Sequence, residues 1–239
     1  MERITAIVLA GGSGKRMKSA VPKQYLTLAG KPVIYYALRA FDESAVTDIV
    51  LVAGAGDADY CREEIIRRYG IRKVRAVVEG GKERYDSVYR GLLAAEDADY
   101  VLIHDGARPL VTADVIARAL AGAREYGACV AGMPVKDTVR LVGEDEFADA
   151  TPDRRLLRQI QTPQAFCGPL IRDAYAKVLA DIEQGRTEGR GITDDAMILE
   201  YAAGRRVKVT EGSYRNLKIT TPEDLILAEA YLRAAENSD

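Results

Sequence analysis

Short runs of consecutive apolar, β-branched residues alternate along the chain with longer stretches whose apolar positions recur at helical spacing. Such runs are typical of strands buried on both faces, and helices between them are the usual connections of a parallel sheet. The predicted strands are 4–9, 48–52, 73–79, 100–104, 128–133 and 206–211. The predicted helices are 33–41, 59–69, 84–95, 113–126, 170–181, 194–203 and 222–235. The pattern therefore predicts an α/β fold with a doubly wound, mostly parallel sheet.

One segment, residues 135–158, departs from this alternation. Its apolar and polar residues alternate over 138–142, and an acidic turn and the sequence TPDRR follow. This pattern predicts a β-hairpin inserted into the single domain that residues 1–239 are expected to form. Because an isolated two-stranded hairpin is only marginally stable in water, we expect this arm to pack on another surface, such as a second subunit.

Composition and charge exclude several classes of protein. The formal net charge of −2 lacks the cationic excess of a nucleic-acid-binding protein. No apolar run approaches the roughly 20 residues that span a membrane, and no signal-peptide pattern follows the N-terminus, so we expect a cytoplasmic protein. Cys61, Cys129 and Cys167 are widely spaced, which disfavours a disulfide framework or a zinc site. The one histidine, His104, at a strand end, is more often structural than catalytic.

A glycine-rich loop, LAGGSGKRM over residues 9–17, follows the first predicted strand. Gly11, Gly12 and Gly14 let backbone N–H groups turn toward an anion at the end of the strand where α/β sheets bind ligands. Arg16 and Lys23 place two cations beside this loop. The loop therefore predicts a phosphate-binding site.

Two familiar phosphate-binding loops do not fit this sequence. A Walker A loop fails because Leu9 and Arg16 stand where it requires Gly and Ser or Thr. The dinucleotide fingerprint fails because Met17 stands where Gly or Ala is needed. An NAD-dependent oxidoreductase is therefore disfavoured.

The motif HDGARP follows the fourth predicted strand and brings Asp105 and Arg108 to the same edge of the sheet. Asp105 is a candidate Mg²⁺ ligand, since Mg²⁺ is commonly held by one or two carboxylates together with substrate phosphates. Alternatively, Asp105 caps the next turn and pairs with Arg108. The residues alone leave both interpretations open.

Three further motifs are weaker. Gly81 and Ser87 follow the third predicted strand, where they fit either contacts to a base edge or a simple strand-to-helix turn. Thr193 lies in the sequence ITDD at a helix start, where capping by Thr or Asp is the default explanation. Lys218 precedes the last predicted helix, and a lone lysine there is more often solvated than functional.

Several motifs in order resemble the nucleotidyltransferase superfamily and, within it, the 2-C-methyl-D-erythritol 4-phosphate cytidylyltransferase family. They are LAGGSGKRM, PKQY, GGKERYDSV, HDGARP, VKDTV, DRRLLRQIQTPQAF, ITDDA and NLKITTPEDL. The resemblance runs from the first strand to the last helix. It implies a Rossmann-like nucleotidyltransferase fold and transfer of CMP from CTP to 2-C-methyl-D-erythritol 4-phosphate, with Mg²⁺ as cofactor and release of pyrophosphate. This reaction belongs to non-mevalonate isoprenoid synthesis.

The resemblance also implies a role for each matching residue. Arg16 and Lys23 match cations that stabilise charge on the triphosphate, and Asp105 matches the Mg²⁺ ligand. The implied nucleotide-binding residues are Ala10, Gly11, Gly12, Gly14, Gly81 and Ser87. The implied acceptor-binding residues are Arg108, Thr138, Arg154, Thr193 and Lys218. Members of the family are homodimers whose arms reach into each other's sites, which implies that Thr138 and Arg154 act on the partner's substrate.

Two alternative functions remain. A cytidylyltransferase acting on ribitol 5-phosphate would share the glycine loop, although HDGARP and the arm favour methylerythritol phosphate. A non-catalytic nucleotide-binding regulator on the same fold would not need Arg16, Lys23, Asp105 and an acceptor pocket together. The single histidine fits the transfer reaction, because a phosphate monoester with a second pKa near 6 is already mostly dianionic at neutral pH and needs no general base.

Overall fold

The computed structural model describes residues 2–12, 17, 19, 21–189 and 191–236. The strands in these ranges are β1 (Ile4–Ala10), β2 (Thr27–Leu28), β3 (Lys31–Pro32), β4 (Asp48–Ala53), β5 (Val74–Glu79), β6 (Tyr100–Asp105), β7 (Ala128–Pro134), β8 (Leu141–Val142), β9 (Ala148–Ala150), β10 (Arg158–Cys167) and β11 (Lys208–Glu211). The helices are α1 (Val33–Asp42), α2 (Ala58–Tyr60, continued by the π-helical segment Cys61–Arg67), α3 (Arg84–Leu93), α4 (Ala113–Tyr126), α5 (Gly168–Glu183), α6 (Asp195–Ala203) and α7 (Pro222–Glu236).

A seven-stranded sheet in the order β11-β7-β10-β6-β1-β4-β5 forms the centre of the molecule. All neighbouring strands are parallel except β10, which runs antiparallel to both β6 and β7. Successive side chains of a strand point to opposite faces, so Val8 belongs to the core that includes residues of α1, α2 and α4, whereas Ile7 belongs to the core that includes residues of α3, α5 and α6. The predicted doubly wound, mostly parallel α/β fold is therefore confirmed.

Every strand and helix predicted from the apolar pattern is present, with ends within two residues of the expected positions. Helix α4 begins and ends where it was expected, because Thr112 caps its start and Gly127 ends it in the left-handed conformation with φ 80°. The pattern did not predict the π-helical turn of α2 or the short β2–β3 ladder.

Strand β10 also lies outside the predictions, although it occupies a central position in the sheet. Its sequence contains Pro163, which cannot donate a hydrogen bond to a neighbouring strand and therefore argues against a central strand. The structure accommodates this proline at an irregularity, where the pairing of β10 with β7 shifts in register between Ile160 and Gln164. The Thr162–Pro163 peptide bond is cis.

Residues 135–157 form the arm, whose hairpin pairs β8 with β9 in antiparallel fashion. The predicted inserted hairpin is therefore present, with strands shorter than the alternating pattern suggests. Leu141, Phe147 and Leu156 are 56%, 73% and 81% exposed, so the arm presents apolar side chains to its surroundings. None of the helices in the described ranges has the length and apolar character to cross a membrane.

The order of the strands determines where a ligand can bind. Strands β6, β1, β4 and β5 are adjacent and parallel, so their carboxyl ends meet at the same edge of the sheet. The loops that leave this edge carry Gly11, Gly54 and Gly81, and Asp105 is the last residue of β6. The carboxyl edge of a parallel sheet is the usual ligand-binding side of an α/β fold.

Candidate active site

A pocket of about 620 Å³ lies at this edge, between the loops that follow β1, β4 and β5. All of its lining residues lie between Gly11 and Ser87. A glycine lets the loop after β5 fold closely against the first turn of α3: a Cβ atom on Gly81 would lie 2.2 Å from the Cβ atom of Asp86. This pocket, called here the nucleotide pocket, includes Gly11, Gly12, Gly81 and Ser87 among the predicted nucleotide-binding residues.

Ser87 stabilises the turn that enters α3. The Gly81 N–H group donates to the Ser87 hydroxyl over 3.0 Å, and this hydroxyl donates to the Glu83 carbonyl over 3.1 Å. The Glu83 N–H group donates in turn to the Asp86 carboxylate, which completes the cap of the helix. The turn interpretation of Gly81 and Ser87 is therefore compatible with a place in the pocket wall.

A second, smaller pocket of about 180 Å³, called here the central pocket, lies against the end of β1. Ala10, Lys23, Asp105 and Lys218 line it together with Gly11 and Gly12. Lys23 leaves a 3-10 turn, and its Nζ atom donates to the Ile219 carbonyl over 3.0 Å. Gly14 and Arg16 lie outside the described residues.

Cations surround the carboxylate of Asp105. Its closest cationic neighbour is the Lys218 Nζ atom at 2.8 Å, followed by the Nε atoms of Arg84 at 3.6 Å and Arg108 at 3.9 Å. Burial alone would raise the pKa of Asp105, but these three cations lower it well below its usual range. Asp105 is therefore ionised at neutral pH, and the turn that follows it is closed by a backbone bond from Arg108 N–H to the Asp105 carbonyl.

His104 precedes Asp105 in β6 and is fully buried, and burial lowers its pKa to about 4. Its Nε2 atom lies 3.2 Å from the Arg108 carbonyl, which can only accept, so Nε2 carries the proton of the neutral ring. Nδ1 then accepts from the Thr162 hydroxyl over 3.0 Å, and the same oxygen accepts from the Asp105 N–H group over 3.1 Å. His104 is thus a fully hydrogen-bonded buried group that holds the Arg108 end of the turn directly and the Asp105 end through Thr162.

A third pocket, also about 180 Å³ and called here the acceptor pocket, adjoins Asp105 on the side of β10. The predicted acceptor-binding residues Arg108, Thr193 and Lys218 line it. Arg108 is oriented by a 2.8 Å hydrogen bond from its guanidinium to the Asn216 carbonyl. Asp194, and not Thr193, caps α6, because its carboxylate accepts from the Met197 N–H group over 3.0 Å.

The two remaining predicted acceptor-binding residues, Thr138 and Arg154, lie on the exposed arm and line none of the three pockets of this chain. The Arg154 guanidinium donates to the Lys136 carbonyl over 2.6 Å, a contact within the arm. The structure therefore brings Arg108, Thr193 and Lys218 together with Asp105, but leaves Thr138 and Arg154 apart from them.

Sequence reasoning missed Arg84, which lines all three pockets. Arg84 is the first residue of α3, and its guanidinium forms a bidentate pair with Asp195, at distances of 2.8 and 2.7 Å. Its place in the motif GGKER is visible in the sequence, but its partner lies 111 residues further along the chain. Only the tertiary structure reveals the pair.

Comparison with known proteins connects these pockets to a family. The family model described as 2-C-methyl-D-erythritol 4-phosphate cytidylyltransferase matches residues 4–234. A protein of that name from Lachnoclostridium phytofermentans is 52% identical over 233 residues, which cover 98% of this chain and 97% of the relative. This chain belongs to the 2-C-methyl-D-erythritol 4-phosphate cytidylyltransferase family.

Solved structures of cytidylyltransferases agree with this assignment. The 4-diphosphocytidyl-2C-methyl-D-erythritol synthase of Anaerococcus prevotii matches with a TM-score of 0.82 and 33% identity, over 97% of this chain and 99% of that one. The 2-C-methyl-D-erythritol 4-phosphate cytidylyltransferase of Thermus thermophilus matches with a TM-score of 0.74 and 31% identity, over 95% of this chain and 98% of that one. The likeness thus extends over nearly the whole length of the cytidylyltransferase fold.

The donor set of the central pocket can be compared with what a magnesium ion requires. No group of three or more His, Cys, Asp or Glu side chains that could hold a metal occurs among the described residues. Asp105 offers one ionised carboxylate beside the glycine loop and Lys23. Mg²⁺ commonly takes one or two carboxylates together with substrate phosphates, so this pocket fits a magnesium ion that binds with a triphosphate.

Proposed function

We propose that this protein transfers CMP from CTP to 2-C-methyl-D-erythritol 4-phosphate and releases pyrophosphate, a step in non-mevalonate synthesis of isoprenoid precursors. Membership of the family supports the identity of both substrates. The observation in the structure that carries the proposal is the junction of the pockets: Arg84 lines all three, and Asp105 and Lys218 line both the central and the acceptor pocket. A nucleotide on one side and a phosphorylated acceptor on the other would meet at this junction.

In this reaction an oxygen of the acceptor phosphate forms a bond to the α-phosphorus of CTP. The bond from this phosphorus to the oxygen that bridges to the β-phosphorus breaks, and its electron pair leaves with pyrophosphate. The attacking phosphate is mostly dianionic at neutral pH, so it needs no general base. This agrees with His104, whose two ring nitrogens are engaged in structural hydrogen bonds.

The main obstacle is repulsion between two anions and the charge that builds up on the leaving pyrophosphate. Lys23, Arg84, Arg108 and Lys218 place four cations around the central and acceptor pockets. A well-placed donor of this kind contributes about 3–4 kcal/mol to transition-state stabilisation in other enzymes. Arg16 is expected to add a further cation from the glycine loop.

We also propose Mg²⁺ as the cofactor. Asp105, together with phosphate oxygens of the nucleotide, would hold the ion, and Ala10, Gly11 and Gly12 line the same pocket. When bound, Mg²⁺ neutralises charge on the triphosphate and on the departing pyrophosphate. Arg84 and Lys218, 3.6 and 2.8 Å from the same carboxylate, lower its pKa and hold it ionised.

A homodimer would complete the acceptor site. Thr138 and Arg154 lie on the arm, away from the acceptor pocket of their own chain, and the arm exposes apolar side chains such as Phe147. Both observations support an arm that inserts into a second copy, where Thr138 and Arg154 would contact the substrate of the partner.

Complementation between two inactive variants tests this arrangement. We expect Arg154→Ala and Lys218→Ala each to lose most of their activity as pure proteins at an acceptor concentration well below their raised KM. After mixing and subunit exchange, one site of each mixed dimer has both residues intact if the arm acts in the partner, so about a quarter of the activity returns. If the arm acts on its own chain, every site still lacks either Arg154 or Lys218, and the mixture stays inactive. Such inactivity would refute the insertion of the arm into the partner.

The direct test of function incubates the protein with CTP, Mg²⁺ and 2-C-methyl-D-erythritol 4-phosphate and measures pyrophosphate. A parallel reaction contains ribitol 5-phosphate in place of the methylerythritol substrate. We expect release with the methylerythritol substrate alone. Pyrophosphate release with ribitol 5-phosphate alone would indicate a ribitol 5-phosphate cytidylyltransferase. CTP binding without pyrophosphate release in either reaction would indicate a non-catalytic regulator.

A further inference from the structure

Asp195, the first residue of α6, is a fully buried carboxylate beside the site, and it lines none of the three pockets. Its two oxygens accept from the Nη1 and Nη2 atoms of Arg84 at 2.8 and 2.7 Å. The Tyr175 hydroxyl donates to the same carboxylate over 2.5 Å. Asp195 is thus a buried anion whose partners are one arginine of the pocket wall and one tyrosine of α5.

The backbone around Asp195 is also held in place. The N–H groups of Asp195 and Ala196 both donate to the Gln164 side-chain oxygen, at 3.0 and 3.1 Å. The Gln164 amide donates to the Asp194 carboxylate over 2.9 Å. Because Gln164 belongs to β10, the central sheet itself determines where the Asp195 carboxylate lies.

This arrangement leaves part of the Arg84 guanidinium available to the pockets. Of the five N–H donors of a guanidinium, the bidentate pair uses two, and the Nε atom of Arg84 lies 3.6 Å from Asp105. Burial alone would lower the pKa of Arg84, but Asp195 and Asp105 raise it well above its ordinary value. A permanently charged group is therefore held at one orientation where the three pockets meet.

A buried ion pair is a costly way to pack a helix, because apolar residues of similar volume commonly stabilise a protein as well or better. Packing alone therefore does not explain a buried carboxylate at the start of α6. We propose that Asp195 is a positioning residue for cytidylyl transfer, which holds the Arg84 guanidinium at the junction of the nucleotide, central and acceptor pockets. The inference rests on the proposed function, since it assigns Asp195 a part in that reaction.

The first experiment compares Asp195→Asn with a matched control, Asp48→Asn. Asp48 is also a buried carboxylate, 6% exposed, paired with Arg3 at 2.9 Å and Arg75 at 3.1 Å, but it begins β4 at the end of the sheet away from the pockets. For each variant we would measure kcat, the KM for each substrate, and the urea midpoint of unfolding. Asp195→Asn keeps the size of the side chain and removes its charge.

We expect Asp195→Asn to lower kcat about 10- to 100-fold, because small displacements of a group at the reacting centre have effects of this size. The KM for CTP should change much less. Asp48→Asn should lower the urea midpoint without a comparable loss of kcat. Equal kcat losses in the two variants, or an unchanged kcat in Asp195→Asn, would overturn the proposal.

A double-variant cycle separates an effect through Arg84 from an independent one. If Asp195 acts through Arg84, adding Asp195→Asn to Arg84→Met leaves kcat within about twofold of Arg84→Met alone, whereas independent effects multiply. Multiplied losses would overturn the proposal. Should Asp195→Asn fail to fold, Arg84→Lys carries the test, since lysine keeps the charge without the bidentate geometry. A full kcat in Arg84→Lys would also overturn it.

The wild-type assay keeps this inference distinct from the proposed function. An inactive wild type would contradict the proposed function, whatever the variants do. An active wild type with a fully active Asp195→Asn variant would contradict only the role of Asp195. A crystal structure of Asp195→Asn supplies a readout without turnover: we expect a displaced Arg84 side chain, and an unmoved one would contradict the proposal.

Discussion

The buried His104 predicts how the stability of this protein depends on pH. The chain contains one histidine, and its pKa is lowered from 6.5 to about 4 by burial. Between these two values the unfolded chain binds a proton that the folded protein does not bind. The stability contributed by neutral His104 is therefore fully present above pH 6.5 and is lost as the pH falls toward 4.

The size of the effect follows from the same two pKa values. One pKa unit corresponds to 1.36 kcal/mol, so the free energy of unfolding should fall by about 2 kcal/mol between pH 7 and pH 5 because of this residue alone. Most carboxyl groups, with ordinary pKa values near 4, begin to contribute mainly below this window. A loss of this size is a large fraction of the stability of a typical domain, about 5–15 kcal/mol.

Urea unfolding followed by circular dichroism at pH 7, 6 and 5 measures this loss. His104→Gln is the comparison: it should be less stable than the wild type at pH 7, because hydrogen bonds to Thr162 and the Arg108 carbonyl are disturbed. Its free energy of unfolding should nevertheless change little between pH 7 and pH 5. Parallel curves for the two proteins would refute the assignment of the pH dependence to His104.

Three further predictions concern the pockets. Gly81→Ala should weaken CTP binding about tenfold in calorimetry, since its Cβ atom would lie 2.2 Å from Asp86 and force the turn to move. An unchanged affinity for CTP would contradict a role of this turn in nucleotide binding. Lys218→Met should raise the KM for the acceptor about tenfold or more, by loss of one charged contact to its phosphate, and an unaltered KM would argue against that contact. Chelation with EDTA should abolish pyrophosphate release and added Mg²⁺ should restore it, whereas turnover that survives chelation would contradict the proposed metal at Asp105.

The fold could be predicted largely because strands such as Ile4–Ala10 and Asp48–Ala53 are apolar at all but one position, and their burial depends mainly on their own residues. Strand β10 could not be predicted in the same way. Pro163 and three glutamines interrupt any apolar pattern in RQIQTPQAFC, and the strand is stabilised by its neighbours β6 and β7. Its place in the sheet is a tertiary effect that outweighs the local preference of its residues.

The candidate site also contains residues that could be predicted from the sequence and residues that could not. The residues at strand ends, such as Gly81 and Asp105, were predictable because parallel strands bring their carboxyl ends to one edge. Arg84 was not, since its partner Asp195 is remote in sequence and gives no local signal. The part of His104 in holding the Asp105 turn was also hidden, because it depends on Thr162 within the unpredicted strand β10.

The separation of the pockets along the chain has an evolutionary consequence. The nucleotide pocket is lined by residues between Gly11 and Ser87, whereas the acceptor pocket is lined, apart from Arg84, by residues from Asp105 onward. Mutations from codon 105 onward can therefore change the shape of the acceptor pocket while the nucleotide pocket is inherited intact. A lineage can in this way acquire a new phosphorylated acceptor and keep its nucleotide donor, with Arg84 as the residue that both selective pressures must preserve.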